Sequence, residues 1–235
     1  LFRTTVTAEG NAFFIFIENF ADIKLVLVIF LCVSLLLWSL RRYCWISYFA
    51  ILLGSAMVTT YGFKWLFDRA RPTDLHIIAL PSDPSFPSGH AVLAVCTYGY
   101  IAYLLIRSIR SRVARACIAL AFFTLTLFIG MSRIYLGVHY PSDVFGGWYL
   151  GLGLLSMIIA FNEIDMRMRT PLRLPRRRFS TVTYFWIIVI VVGVVSVAAI
   201  RSYRTVELVA AKEFVQTVVS VNQFLDQSDT FSETL

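Results

Sequence analysis

The 235-residue chain is 58% hydrophobic and only 15% charged, and its mean hydropathy is +0.74. Soluble domains carry roughly 25% charged residues, so the composition excludes an ordinary soluble enzyme and predicts an integral membrane protein. The net charge of +7 comes from arginines that cluster between apolar runs, a pattern that orients membrane helices. We therefore expect the bilayer, and no nucleic acid, as a partner.

Apolar runs long enough to cross a bilayer, about 20 residues each, recur along the chain. Residues 1–20 are mixed and fit either an interfacial helix or the remnant of a span cut short at Leu1, since the chain does not begin with methionine. The predicted spans cover residues 23–40, 45–67, 88–106, 116–131, 142–161 and 183–200. The predicted fold class is all-α, an integral membrane bundle of about six transmembrane helices over residues 1–201, followed by a polar tail over residues 202–235.

The arginines also predict an orientation. The segments after the first, third and fifth spans carry two, four and six arginines. Excess positive charge marks cytoplasmic segments. The segments after the second and fourth spans, and the C-terminal tail, should then face outward from the cell (inner) membrane.

Small side chains inside the apolar runs are interpreted as packing residues. Gly147 and Gly151 make a GxxxG step that lets a neighbouring helix approach closely. The four cysteines show no CxxC or metal-ligand spacing and are predicted to be reduced; they are Cys32, Cys44, Cys96 and Cys117.

The first polar cluster closes the second span, where Lys64 and Arg71 are seven residues apart. Seven residues are two helical turns, so both would lie on one helix face. Two cations there repel each other unless an anion sits between them. The alternative is that Lys64 extends its ammonium to the interface and Arg71 is a loop charge.

The second cluster, Ser88-Gly89-His90, begins the third span. Ser88 or its neighbour can cap the helix, Gly89 lets a backbone N–H approach a ligand, and a helix N-terminus favours anions. His90 in the first turn can donate a proton to such an anion. The alternative is a capped helix start with an incidental histidine.

The third cluster places Arg133, His139 and Asp143 in an apolar region, where charged groups are expensive and functional by default. Pro141 is tolerated at the first position of a new helix, which puts Asp143 in the first turn. Its carboxylate can then accept the Nδ1–H of His139 and leave Nε2 outward as a nucleophile or base. The alternative is a structural ion pair of Arg133 with Asp143 and a satisfied buried histidine.

Together the clusters lie at three helix ends on one side of the membrane. They supply three cations, hydrogen-bond donors and two histidines, one of them near a carboxylate. This set suits transfer of a phosphoryl group to nitrogen, in which one histidine attacks and the other protonates the leaving oxygen. Nothing in the pattern suggests a carboxylate cage for a catalytic metal, and we expect no cofactor.

These residues resemble, in order and spacing, the three-part signature of the type 2 phosphatidic acid phosphatase (PAP2) superfamily. The first part, Lys, six residues and Arg-Pro, is residues 64–72. The second, Pro-Ser-Gly-His, is residues 87–90, and the third, Ser-Arg, five residues, His, three residues and Asp, is residues 132–143. Members commonly have three helices up to the first motif, whereas this sequence predicts two clear ones.

The resemblance implies a metal-independent membrane phosphatase that works through a phosphohistidine at the extracytoplasmic face. His139 would be the nucleophile oriented by Asp143, and His90 would be the general acid and then the base that activates water. The residues implied as the phosphate cradle are Lys64, Arg71, Ser88, Gly89 and Arg133.

The substrate implied is a lipid phosphate of the phosphatidic acid, phosphatidylglycerol phosphate, undecaprenyl diphosphate or lipid A phosphate class. A sugar-phosphate phosphatase and a non-catalytic lipid transporter or scaffold are the alternatives. Intact histidines and aspartate argue against the scaffold, and the hydropathy argues against the soluble haloperoxidases of the same superfamily. The sequence predicts neither the head group nor the oligomeric state.

Overall fold

The computed structural model describes residues 7–73 and 77–169, and over these ranges every regular element is a helix. The all-α prediction is confirmed. The α-helices are α1 (Ala8–Glu18), α2 (Ile23–Ser39), α3 (Tyr43–Phe67), α4 (Gly89–Ser108), α5 (Arg112–Tyr135) and α6 (Pro141–Arg169). The predicted span over residues 183–200 and the tail over residues 202–235 lie outside the described residues.

Four helices, α3 to α6, are each long and apolar enough to cross a membrane. The predicted first span corresponds to α2, which has 17 residues and joins α1 through a short 3₁₀ turn with a bend of 50°. Asp22 explains the restart, because its extended backbone breaks the helix and its side chain accepts the Lys24 N–H at 3.0 Å. The described ranges thus contain four spans, or five if the bent pair is one, and six stays a prediction.

Two helices extend beyond the predicted apolar spans into the basic segments. α5 begins at Arg112 rather than at residue 116, and α6 runs to Arg169 rather than to residue 161. Ser111 fixes the start of α5 by accepting the Ala114 N–H at 3.3 Å. Arginine is a good helix former whose long stem lets the charge reach water, so hydropathy alone ends such helices too early.

The core is centred on α4, which packs against α2, α3, α5 and α6. The predicted close approach at Gly147 and Gly151 is confirmed, since a Cβ on Gly147 would lie 2.7 Å from the Ser88 carbonyl oxygen and one on Gly151 2.8 Å from the Val95 Cβ. Large apolar side chains on the outer faces of α3, α5 and α6 are exposed. That distribution suits a lipid environment.

The mixed N-terminal stretch contributes α1, which packs on α5. Phe14 stacks on Tyr135 with ring centroids 4.2 Å apart, and Phe13 meets Phe128 edge-on. Residues 8–18 are therefore part of the helical bundle. The four cysteines form no disulfide among the residues that the structure describes.

Candidate active site

Four helix ends meet at one end of the bundle: the C-terminal ends of α3 and α5 and the N-terminal ends of α4 and α6. Backbone hydrogen bonds join them. The Ser88 N–H donates to the Asp143 carbonyl at 2.9 Å, and the Ser85 N–H donates to the Arg69 carbonyl at 2.7 Å. The segments that carry the three sequence clusters are thus held side by side.

The local sequence determines where these helices stop and start. α3 ends at Phe67 because Asp68 adopts the left-handed conformation (φ 39°) and its N–H caps the Lys64 carbonyl at 3.0 Å. α6 begins at Pro141, as the rule for proline at the first helical position predicts. Gly137, with φ 73°, turns the chain between α5 and α6, and positive φ is costly for other residues.

The predicted common helix face of Lys64 and Arg71 is wrong, because α3 ends before Arg71. The two cations nevertheless meet around Asp83. Lys64 Nζ lies 3.0 Å from Asp83 Oδ2, and Arg71 Nη2 lies 2.8 Å from Asp83 Oδ1. The anion expected between the two cations is thus a carboxylate of the protein itself.

Both cations are nearly buried, with side chains 6% and 8% exposed for Lys64 and Arg71, whereas Asp83 is 37% exposed. Burial raises the pKa of Asp83, but its hydrogen bonds and charge interactions with Lys64 and Arg71 outweigh burial and hold that pKa below its usual value. Asp83 is therefore an ionised carboxylate at neutral pH.

His139 and Asp143 are placed as predicted on either side of Pro141, and both are buried. Nδ1 of His139 is 3.5 Å from Asp143 Oδ2, which is longer than a good hydrogen bond. The Ser85 hydroxyl lies between them, 2.5 Å from Asp143 Oδ2 and 3.3 Å from His139 Nδ1. The geometry fits a relay in which Nδ1–H donates to Ser85 Oγ and Ser85 O–H donates to Asp143.

Asp143 has further partners that hold its carboxylate in place. Oδ1 accepts from Arg69 Nη1 at 2.7 Å, and Oδ2 accepts the Tyr140 backbone N–H at 2.9 Å. Arg69 also lies over the Tyr140 ring at 4.3 Å. The cationic partner of Asp143 is therefore Arg69, and the alternative of an ion pair with Arg133 is wrong.

The other nitrogen of His139 faces the cations. Nε2 is 3.1 Å from Arg71 Nη1, which also donates to the Val138 carbonyl at 2.9 Å. Because a guanidinium can only donate, Nε2 carries a lone pair and Nδ1 carries the proton. Burial is the main cause that lowers the pKa of His139, to about 4 once the charges of Arg133, Arg71 and Lys64 and the opposing effect of Asp143 are included. The imidazole is therefore neutral at physiological pH.

The second cluster occupies the start of α4. Ser88 is the N-cap residue but makes no capping hydrogen bond, and its buried hydroxyl has no partner within the described ranges. A buried donor of this kind is costly unless something binds it. Gly89 and His90 are the first two residues of α4, and both are partly exposed beside the buried Ser88.

Arg133 lies in the last turn of α5 and is buried. Its Nη1 donates to Glu18 Oε2 of α1, and its Nε has no partner within the part of the chain described. The structure thus gives Arg133 a carboxylate partner at the edge of the site instead of a place in the Lys64–Arg71 pair. Its charge still reaches His139, since it contributes to the lowered pKa of that residue.

Four site residues were missed from the sequence: Glu18, Arg69, Asp83 and Ser85. Arg69 lies within the first motif, two residues before Arg71, and its charge there could have marked it as a candidate site residue. Asp83 and Ser85 lie in a loop without periodicity. Glu18 is a lone carboxylate in an apolar stretch. Charged groups in such a stretch are functional by default, so the sequence did contain a signal for this residue.

An open cleft of about 320 Å³ adjoins the site and is lined by Phe67, Arg69 and Phe86. The two phenylalanine rings meet edge to face with centroids 4.9 Å apart. The cleft is thus apolar on two sides, and its third side is the guanidinium that holds Asp143. Over residues 7–73 and 77–169, the histidine, cysteine, aspartate and glutamate side chains form no group of three that could ligate a metal.

Known proteins resemble part of this chain. Phosphatidylglycerophosphatase B of Bacillus subtilis is 38% identical over 108 residues, which cover 45% of this chain and 52% of that protein. Lipid A 1-phosphatase of Rhizobium etli is 30% identical, over 46% of this chain and 50% of that protein. Undecaprenyl-diphosphatase of Sulfolobus acidocaldarius is 35% identical, over 43% and 45%. The chain spans about half the length of these curated relatives.

A solved structure resembles the fold as well. The crystal structure of a transmembrane PAP2 type phosphatidylglycerolphosphate phosphatase from Bacillus subtilis matches with a TM-score of 0.65 and 26% identity, covering 71% of this chain and 83% of that one. The sequence profile of the PAP2 superfamily matches residues 43–167, more than half of the chain and all of the site except Glu18. The chain is an integral membrane protein that belongs to the PAP2 superfamily.

Proposed function

We propose that the protein is a membrane-integrated lipid phosphate phosphatase that works through a phosphohistidine on His139 and needs no metal. One observation carries this proposal: the unprotonated Nε2 of His139 lies 3.1 Å from Arg71, a guanidinium that already binds an anion jointly with Lys64. A nucleophile thus adjoins an anion site. That juxtaposition is what phosphoryl transfer to nitrogen requires.

In the first step, Nε2 attacks phosphorus, a P–N bond forms and the P–O bond to the lipid breaks. Arg71 and Lys64 stabilise the charge on the equatorial oxygens, with Ser88, Gly89 and Arg133 at the edge of the cradle. His90 gives its proton to the leaving oxygen. As Nε2 loses its lone pair the ring becomes cationic, and the relay through Ser85 to the Asp143 carboxylate stabilises that charge.

In the second step, water attacks the phosphohistidine and the P–N bond breaks. His90, now unprotonated, takes a proton from this water. Orthophosphate leaves and His139 returns to the neutral form in which the structure holds it. Each residue thus ends the cycle in its starting protonation state.

The surroundings of the site support a lipid over a sugar phosphate. Phe67 and Phe86 present apolar surface to the cleft, and Trp65, two residues before Phe67 on α3, is 84% exposed. The named relatives act, by their names, on phosphatidylglycerophosphate, lipid A and undecaprenyl diphosphate. We propose a substrate of this class, hydrolysed by the domain over residues 1–201, with residues 202–235 as a separate tail.

Phosphate release by the purified protein in detergent tests the proposal. We expect release from at least one of phosphatidic acid, phosphatidylglycerol phosphate, undecaprenyl diphosphate and lipid A phosphate, at an undiminished rate in EDTA. Vanadate should inhibit, since it resembles the pentacoordinate transition state. Loss of activity in EDTA with recovery in magnesium would contradict the metal-independent mechanism. Hydrolysis of glucose 6-phosphate alone would contradict the lipid class.

We also propose that the site faces the extracytoplasmic side of the cell membrane, because the basic segments lie at the opposite helix ends. In a variant whose four native cysteines are replaced by alanine, Ser82→Cys should react with an impermeant thiol reagent added to intact cells. Arg110→Cys, at the opposite end of α4, should react only after permeabilisation. The reverse pattern would overturn the orientation.

A further inference from the structure

The carboxylate of Asp83 holds the position that a phosphate would need. Its two oxygens are bound separately, Oδ2 by Lys64 at 3.0 Å and Oδ1 by Arg71 at 2.8 Å. Two oxygens of a phosphate would use these same donors. A ligand therefore reaches the two cations only if this carboxylate leaves.

Asp83 is the part of this arrangement that can move. Lys64 is part of α3. Arg71 is held by two hydrogen bonds that do not involve the Asp83 carboxylate: Nη1 donates to the Val138 carbonyl at 2.9 Å, and Nε donates to the Asp83 backbone carbonyl at 2.8 Å. The Asp83 side chain is 37% exposed and belongs to the loop before α4. Rotation of that side chain would open the site while the cations stay in place.

Charge decides which ligands can replace the carboxylate. Lys64 and Arg71 together carry two positive charges, and Asp83 neutralises one of them. A terminal phosphate carries about −1.5 to −2 at pH 7, so its exchange for Asp83 completes the neutralisation. A phosphodiester carries one charge, so its exchange for Asp83 gains no charge interaction and still has the cost of ordering a ligand.

We propose that Asp83 is a specificity-determining residue: its carboxylate occupies the Lys64–Arg71 anion site in the absence of substrate and excludes singly charged phosphodiesters while it yields to dianionic terminal phosphates. The inference rests on the proposed function, since it takes these two cations as the phosphate cradle. In a bilayer the exclusion matters, because phosphodiester head groups greatly outnumber any terminal phosphate.

Direct binding to the full chain in detergent tests this inference independently of turnover. Calorimetry would measure the dissociation constants of inorganic phosphate at about pH 8, mostly a dianion, and of dimethyl phosphate, a monoanion without lipid chains. In the wild type, the Asp83 carboxylate should compete with both ligands for Lys64 and Arg71, so that inorganic phosphate binds measurably and dimethyl phosphate does not. A carboxylate in place about 90% of the time weakens the apparent affinity of either ligand about tenfold, which takes the intrinsically weaker dimethyl phosphate below detection. Asp83→Asn should therefore bind phosphate about tenfold more tightly and should bind dimethyl phosphate measurably.

Matched variants complete the experiment. Asp83→Glu keeps the charge and should still exclude dimethyl phosphate, and Asp68→Asn removes an exposed carboxylate at the end of α3 and should behave as wild type. Asp83→Ser provides the same charge loss if Asp83→Asn does not fold.

Unchanged or weaker phosphate binding in the neutral variants would overturn the inference, because Asp83 would then only position the two cations. Tighter phosphate binding with dimethyl phosphate still excluded would also overturn it, because something else would set the charge requirement. The proposed function fails separately, if the wild type releases no phosphate from any lipid whatever these affinities are.

Discussion

His139→Ala is expected to lower turnover of a lipid phosphate by at least about 10⁴-fold, the order of loss seen when a catalytic nucleophile is removed. The reason is geometric, since Nε2 of His139 is the unprotonated nitrogen 3.1 Å from the anion-binding guanidinium of Arg71. Steady-state release of phosphate from a short-chain, soluble lipid phosphate measures the loss. A melting temperature close to that of the wild type shows that the variant is folded.

His90→Ala provides the matched control, because the two histidines have different roles in the proposed cycle. With an aryl phosphate, whose leaving group needs no proton, His90→Ala should still form the phosphoenzyme but hydrolyse it slowly. The acid-labile, base-stable phosphate on the protein should then accumulate, whereas His139→Ala should form none. Wild-type-like turnover in folded His139→Ala would remove the phosphohistidine mechanism.

The parts of the site that local rules govern could be predicted from the sequence. Proline at the first helical position predicted that α6 starts at Pro141, and that start places Asp143 near His139. Helical span lengths placed the three clusters at one end of the bundle. The prediction for Arg71 failed because Asp68 adopts a left-handed conformation that ends α3 four residues earlier.

The missing parts depend on contacts between residues far apart in the chain. Arg133 meets Glu18, which is 115 residues away, and Ser85 meets Asp143, which is 58 residues away. No periodicity or motif spacing connects such residues, since their distance depends on how the helices pack. The anion between Lys64 and Arg71 could not be identified from the sequence for the same reason, since the sequence indicated only that two neighbouring cations repel each other unless an anion lies between them.

Asp143→Asn is expected to lower the turnover number by roughly 10⁴-fold with little change in the Michaelis constant, by analogy with the loss of a histidine-orienting carboxylate elsewhere. Asp143 is fully buried and accepts hydrogen bonds on both oxygens, from Arg69 on one and from Ser85 and the Tyr140 N–H on the other. An amide presents an N–H₂ to one of these sets of donors. Either the Arg69 pair or the relay to His139 must then break, and no carboxylate remains to stabilise the cationic ring.

Variants of Ser85 distinguish the role of the hydroxyl relay from the role of the Asp143 carboxylate. Ser85→Ala should lower turnover less than Asp143→Asn does, about 10- to 100-fold, because the Asp143 charge stays but the hydroxyl 3.3 Å from His139 Nδ1 is lost. Ser85→Thr should restore most of the activity, because threonine also supplies a hydroxyl. Asp68→Asn, an exposed change at the end of α3, serves as the control. If Ser85→Ala matched the wild type, His139 would bond Asp143 directly and the relay would be wrong. If Asp143→Asn raised the Michaelis constant alone, Asp143 would help to bind substrate and another group would stabilise the charged histidine.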